Sequence, residues 1–288
     1  MCHSRLMRWG LSLVMAVLTA FAAASARAAP ACGLPEQPCS LANGFYFAEK
    51  PAHWDGKSPL PVLVHFHGFR EQALEVIGRE GMRDLADRLG VLLVVPQGEG
   101  QTWSHPGSPA SLRDEFAFVE AMLADLRQRF KLDEDRIWAS GFSQGASMVW
   151  ALACYRGGLF RSYLPISGAF WRPEPLHCPT LPRPIRHIHG LKDVTVPLEG
   201  RPIRGGQFHQ GRVAHAIALA RQAATCRPEK EDDYSSRGTL MCRKATGCSG
   251  GTMLEFCLHA GGHDFDQSWL EDEFRPMLRN AADTALKR

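Results

Sequence analysis

Short, unbroken apolar runs alternate with longer stretches whose apolar residues recur at helical spacing. The runs at residues 61–66 (PVLVHF) and 91–95 (VLLVV) have no polar alternation and are rich in β-branched residues. Such runs predict strands buried on both faces rather than strands with one wet side. Residues 136–140, 162–166, 185–188, 239–243 and 252–258 predict further short strands. Between them, Phe116, Val119, Met122, Leu123, Leu126 and Phe130 mark one face of a helix over 112–130. Helices are also predicted over 81–89, 144–154, 213–224 and 268–286, and Asp114 and Phe116 are assigned to helix capping and core. Strands taking turns with helices predict an α/β fold with a mostly parallel central sheet and helices on both faces. In such sheets the chemistry lies beyond the carboxyl ends of the strands.

The segment Gly141-Phe142-Ser143-Gln144-Gly145 stands at one of those ends, between a predicted strand and a predicted helix. In that setting GxSxG is a nucleophile elbow, a sharp turn that projects the serine hydroxyl. A serine needs a base, and the base an orienting acid, in the chain order Ser, Asp, His. Asp193, in HGLKD after the 185–188 strand, and His263, in GGHD after the 252–258 strand, meet that order. Glu199, Asp264 and Asp266 compete for the acid role, but Glu199 follows no strand and Asp264 adjoins His263. The backbone amides of Gln144 and Phe69 are the expected oxyanion donors. His67, Gly68 and Trp103 are expected to contact substrate, with Trp103 walling the acyl or aryl site, although core packing is an equal reading of that tryptophan.

Several motifs together resemble the polyhydroxybutyrate depolymerase/feruloyl esterase-like family of α/β hydrolases. They are His67-Gly68, Pro96-Gln97-Gly98 with Trp103, GFSQG with Met148 and Cys154 after it, Pro165-Ile166-Ser167-Gly168, HGLKD with Val196-Pro197, Cys248, and GGH. The resemblance runs from about Gly44 to His263 and implies an α/β-hydrolase fold with a triad at Ser143, Asp193 and His263. It implies cleavage of aliphatic oligoesters, feruloyl esters or acetyl esters. Gln144 departs from the Ala or Asn common in such relatives and leaves the acyl chain open. A serine peptidase on the same scaffold is the alternative. The pairs His65/His67 and His187/His189 offer a further one, a zinc-dependent hydrolase, since alternate strand residues share a face. Each pair ends in glycine at a strand terminus, which the hydrolase fold explains without a metal. No cofactor and no metal are therefore expected.

Composition adds the compartment. Arg5 and Arg8 precede an uncharged apolar run over 11–24 and small residues at Ala26 and Ala28, so 1–28 reads as a signal peptide and 29–288 as a single catalytic domain. No leucine stands three residues before Cys32, which argues against a lipoprotein anchor. Beyond Cys2, eight cysteines remain, an even number suited to as many as four disulfides in a secreted or periplasmic protein, with Cys32–Cys39 the simplest pair. The 33 Lys and Arg against 30 Asp and Glu are scattered without aromatic interleaving, which argues against nucleic acid. No membrane span is expected after signal cleavage and no protein partner is indicated. With no linker or polymer-binding module in view, small or oligomeric esters are the expected substrates.

Overall fold

The computed structural model describes residue 1, residue 32 and residues 37–285, with side chains as far as residue 278. The signal-peptide reading of 1–28 lies outside these residues apart from Met1. The described residues from 32 onward form one compact unit. In chain order its elements are β1 (Cys39–Leu41), β2 (Gly44–Glu49), β3 (Leu60–Phe66), α1 (Ala73–Ile77), α2 (Glu80–Leu89), β4 (Leu92–Pro96), α3 (Glu115–Arg129), β5 (Leu132–Phe142) and α4 (Gln144–Tyr155). There follow β6 (Ser162–Ile166), β7 (Ile185–Gly190), β8 (Pro202–Ile203), β9 (Phe208–His209), α5 (Val213–Ala223), β10 (Asp233–Arg237), β11 (Leu240–Lys244), β12 (Leu254–His259) and α6 (Ser268–Ala285).

The main sheet runs β1-β2-β4-β3-β5-β6-β7-β12-β11-β10. From β4 to β12 every neighbouring pair is parallel. Each edge is finished by antiparallel strands, β2 and β1 on one side and β11 and β10 on the other. The apolar runs are explained by where alternate residues go. Val62, Val64, Leu92 and Val94 join one core with Phe118 of α3, Met148 of α4 and Ile217 of α5. Leu63, Leu93 and Val95 join the other with Ala73 of α1, Leu85 of α2 and Leu270 of α6. Each strand thus feeds two hydrophobic layers, and a polar residue at either parity would be buried. Asp114 caps α3, its Oδ1 accepting from the Ala117 amide at 3.1 Å. Phe116 is only half-buried and packs at the edge of the core.

All eight cysteines from Cys32 onward are paired, as Cys32–Cys39, Cys154–Cys178, Cys226–Cys248 and Cys242–Cys257. The last joins directly opposed residues of β11 and β12. Among the described residues no helix is long and apolar enough to cross a membrane.

Candidate active site

Three strand ends bring the candidate triad together. Ser143 sits between β5 and α4 with φ 57° and ψ −120°, a conformation that costs a non-glycine residue of order 1–3 kcal/mol. The turn is held by the Ser143 amide, which donates to Ile166 O of β6 at 2.9 Å. Its tightness explains Gly145, where a Cβ would stand 2.0 Å from Phe66 O of β3. Asp193 follows β7 and His263 follows β12, strands adjacent and parallel in the sheet. Their loops are laced by Leu191 N donating to His259 O and Lys192 N to Gly261 O, both at 2.9 Å. Gly190 permits that approach, since a Cβ there would lie 1.9 Å from Gly262 O.

The His263 Nδ1–H donates to Asp193 Oδ2 at 2.7 Å, and His263 Nε2 lies 2.9 Å from Ser143 Oγ, placed to accept its proton. The second carboxylate oxygen, Oδ1, accepts from the amides of Thr195 at 2.9 Å and Val196 at 2.8 Å. Burial pushes the Asp193 carboxyl up, but the hydrogen bonds from His263 and from Val196 outweigh it and hold the group below its ordinary value. Phe142 packs over the His263 ring at 4.8 Å between centroids. The rival acids are engaged elsewhere. Asp264 accepts from the Gly262 amide, Asp266 from the Ser268 amide, and Glu199 is exposed.

Ser143 opens into a cavity of about 550 Å³, within the range of small-molecule sites. Phe69 and Gln144, the residues expected to supply the oxyanion amides, line it beside the serine. Gln144 is the first residue of α4, so its N–H has no acceptor within the helix. Its side-chain Oε1 accepts from Thr102 Oγ1 at 2.8 Å.

His67 departs from the sequence expectation of substrate contact, and Trp103 follows the core-packing reading rather than the cavity-wall one. Both are fully buried and neither lines the cavity. Trp103 Nε1–H donates to His67 O at 2.8 Å, and the His67 ring donates through Nδ1 to Gly68 O at 2.7 Å while Nε2 accepts from the Gly98 amide at 3.0 Å. They brace the loop bearing Phe69 from behind. Gly68 is buried too, its amide donating to Glu71 Oε2 at 2.6 Å, and it shapes the same loop rather than the cavity wall. The ring nitrogens of His67, His187 and His189 all hold hydrogen-bond partners within the protein, so neither His-x-His pair is arranged as a ligand set.

The sequence reading missed the far wall, formed by Leu112, Trp171, Ile203 and Gln210 with Arg201 and Arg204. These residues come from loops and from the β8–β9 hairpin, which Trp171 meets through a bridge to Gln210. They carry no motif. The one available signal was a tryptophan in a Gly/Pro-rich stretch shortly after a predicted strand.

The mostly parallel sheet, the helices on both faces and the strand-end loops define an α/β-hydrolase fold. No protein-family model matches the chain. It is similar to feruloyl esterase C of Emericella nidulans, 24% identical over 249 residues that cover 82% of this chain and 83% of the relative. It is also 25% identical over 270 residues to a protein named probable feruloyl esterase C of Aspergillus terreus, covering 88% of this chain and 91% of that one. Among solved structures, an acetyl xylan esterase from Aspergillus awamori superposes with a TM-score of 0.52 at 11% identity, over 77% of this chain and 89% of that one, a likeness of fold.

Proposed function

We propose that the chain is a serine esterase that hydrolyses carboxylic esters through an acyl-enzyme. The observation that carries this reading is the unbroken hydrogen-bonded line from Ser143 Oγ through His263 to Asp193. His263 Nε2 takes the hydroxyl proton as Oγ attacks the ester carbonyl. Asp193 holds the ring with its proton on Nδ1 and stabilises the imidazolium that forms. The amides of Phe69 and Gln144 receive the oxyanion. His263 then protonates the leaving alkoxide, and the alcohol departs. Water, deprotonated by the same nitrogen, attacks the acyl-serine, and the acid is released with Oγ reprotonated.

The cavity supports a bulky acyl or alcohol group. Leu112, Trp171 and Ile203 offer apolar surface to one, and an acetyl group would fill little of about 550 Å³. We therefore place feruloyl-type aromatic esters and hydroxyalkanoate oligoesters, such as those of polyhydroxybutyrate type, ahead of acetyl esters. The names of the relatives support the first of these. Four disulfides support an oxidising compartment, secreted or periplasmic, entered through a signal peptide over 1–28. The test is kcat/KM for methyl ferulate, hydroxybutyrate oligomers, acetylated xylan and 4-nitrophenyl esters of increasing chain length, with fluorophosphonate labelling mapped by mass spectrometry. Label on Ser143 and preference for a large acyl group are expected. Turnover of none of these esters, or label on another residue, would overturn the reading.

A further inference from the structure

Two fully buried histidines behind the candidate triad have their ring protons fixed from both ends. Trp150 Nε1–H, which can only donate, reaches His187 Nδ1 at 3.1 Å. Nδ1 must then accept, which leaves the His187 proton on Nε2, 3.0 Å from His189 Nδ1. That nitrogen accepts in turn, so the His189 proton is on Nε2, 2.8 Å from Val196 O. A carbonyl can only accept, so the far end demands the same polarity as the near end. Trp150, His187 and His189 are all buried without exposed surface, and no other tautomer pair satisfies every contact.

The relay ends on Asp193. His189 Nε2 lies 3.4 Å from Asp193 Oδ2, the oxygen that accepts from His263. Val196, whose carbonyl receives the His189 proton, donates its own amide to Asp193 Oδ1 at 2.8 Å. We propose that Trp150, His187 and His189 form a polarised hydrogen-bond relay that positions the Asp193 carboxylate for His263. The proposal rests on the triad reading above for its catalytic consequence. Trp150 stands on α4, whose first turn follows Ser143, and both histidines stand on β7, which delivers Asp193. The relay therefore ties the helix behind the nucleophile to the strand that carries the acid. If its polarity reversed, the His189 Nε2 lone pair would face both Val196 O and Asp193 Oδ2, and the carboxylate would be driven off its line to His263. These three are positioning residues, since none touches the reacting atoms.

Nitrogen-15 NMR of the imidazoles in the substrate-free protein reads the tautomers directly. Both His187 and His189 are expected with the proton on Nε2 at neutral pH, and either ring protonated on Nδ1 would overturn the relay. This measurement stands even if the chain proves not to be an esterase. Kinetics then test the link to Asp193, with the concentration of active sites counted by fluorophosphonate titration. Trp150→Phe and His187→Leu are expected to lower kcat roughly tenfold with KM nearly unchanged, the scale of a small misplacement in a catalytic array. His187→Gln, whose amide can accept from Trp150 and donate to His189, is expected to recover most of that loss. A purely structural role would lower the titrated sites and spare kcat per site. Wild-type kcat per site in His187→Leu, or equal losses in His187→Leu and His187→Gln, would overturn the positioning role.

Discussion

At the scale of residues, the proposed triad depends on one carboxylate being both buried and ionised. Asp193 is 5% exposed, and its four close contacts divide between its two oxygens, leaving it little freedom to rotate. Asp193→Asn keeps the shape but can present an N–H to His263, which favours the wrong tautomer. Turnover is expected to fall by about 10⁴, the cost known for such a change in the protease template. Ser143→Ala is expected to lose at least as much, because no acyl-enzyme can form, and the double variant little more than the worse single, since the residues act as one unit. Glu199→Gln, on an exposed acid with no contact to His263, should leave kcat within about twofold, as surface changes away from a site usually do. Steady-state kinetics of these variants on one ester decide the assignment. Near-normal turnover in Asp193→Asn alongside loss in Glu199→Gln would transfer the acid role.

At the scale of elements, the elbow depends on α4 and β3 approaching more closely than side chains allow. Gly145→Ala puts a methyl group against the Phe66 and His67 carbonyls, with distances of 2.0 Å and 2.6 Å to be relieved. Backbone cannot yield as a flexible side chain does, so a loss of about 2–3 kcal/mol is expected in urea unfolding, with activity falling further because β3 leads into the Phe69 loop. Elements of this kind were legible in the sequence because their signals are local. Buried strands β3 and β4 read as apolar runs, and GFSQG between strand and helix carried the proposed nucleophile. Asp193 and His263 were legible as the right residue types just past strands β7 and β12. The edges were not. β10 is the fully exposed segment DYSSR, in which no apolar alternation exists to detect. The charged start of β5, Asp133 to Arg136, hid its first residues for the same reason, and the strand begins at Leu132 rather than 136. His67 was misread, and Trp103 was left open between cavity wall and core, because proximity in sequence to a functional loop does not say whether a side chain faces the substrate or the core. The cavity wall carried no motif because Leu112, Trp171 and Gln210 meet only through tertiary folding.

At the scale of the whole molecule, disulfides and buried histidines set the conditions under which the fold persists. Free-thiol titration of the denatured, unreduced mature protein is expected to find almost none of the eight cysteines reactive, and six or more reactive thiols would contradict the pairing seen here. Acid acts through different groups. Burial pushes the imidazoles of His65 down to about 3 and His105 down to about 4, and drives His187 well below its ordinary value. In the unfolded chain each would take a proton near pH 6.5. Their folded values are depressed, so their contribution is complete above about pH 6.5 and is lost as pH falls toward the folded values. Glu115 and Glu273, raised chiefly by burial, act in the opposite direction, so the net acid slope of the wild type mixes both signs. His65→Asn separates them. Ser140 Oγ, 2.9 Å from His65 Nδ1, can be met by an amide, and asparagine takes no proton in this range. The stability gap between wild type and variant should therefore narrow as pH falls from about 6.5 toward 4, by as much as about 1.4 kcal/mol per pH unit, the limit for one proton. Urea unfolding of both proteins at half-unit steps measures that gap. A gap that stays constant across the range would mean that His65 takes its proton equally in both states, and its burial would not be felt as acid sensitivity.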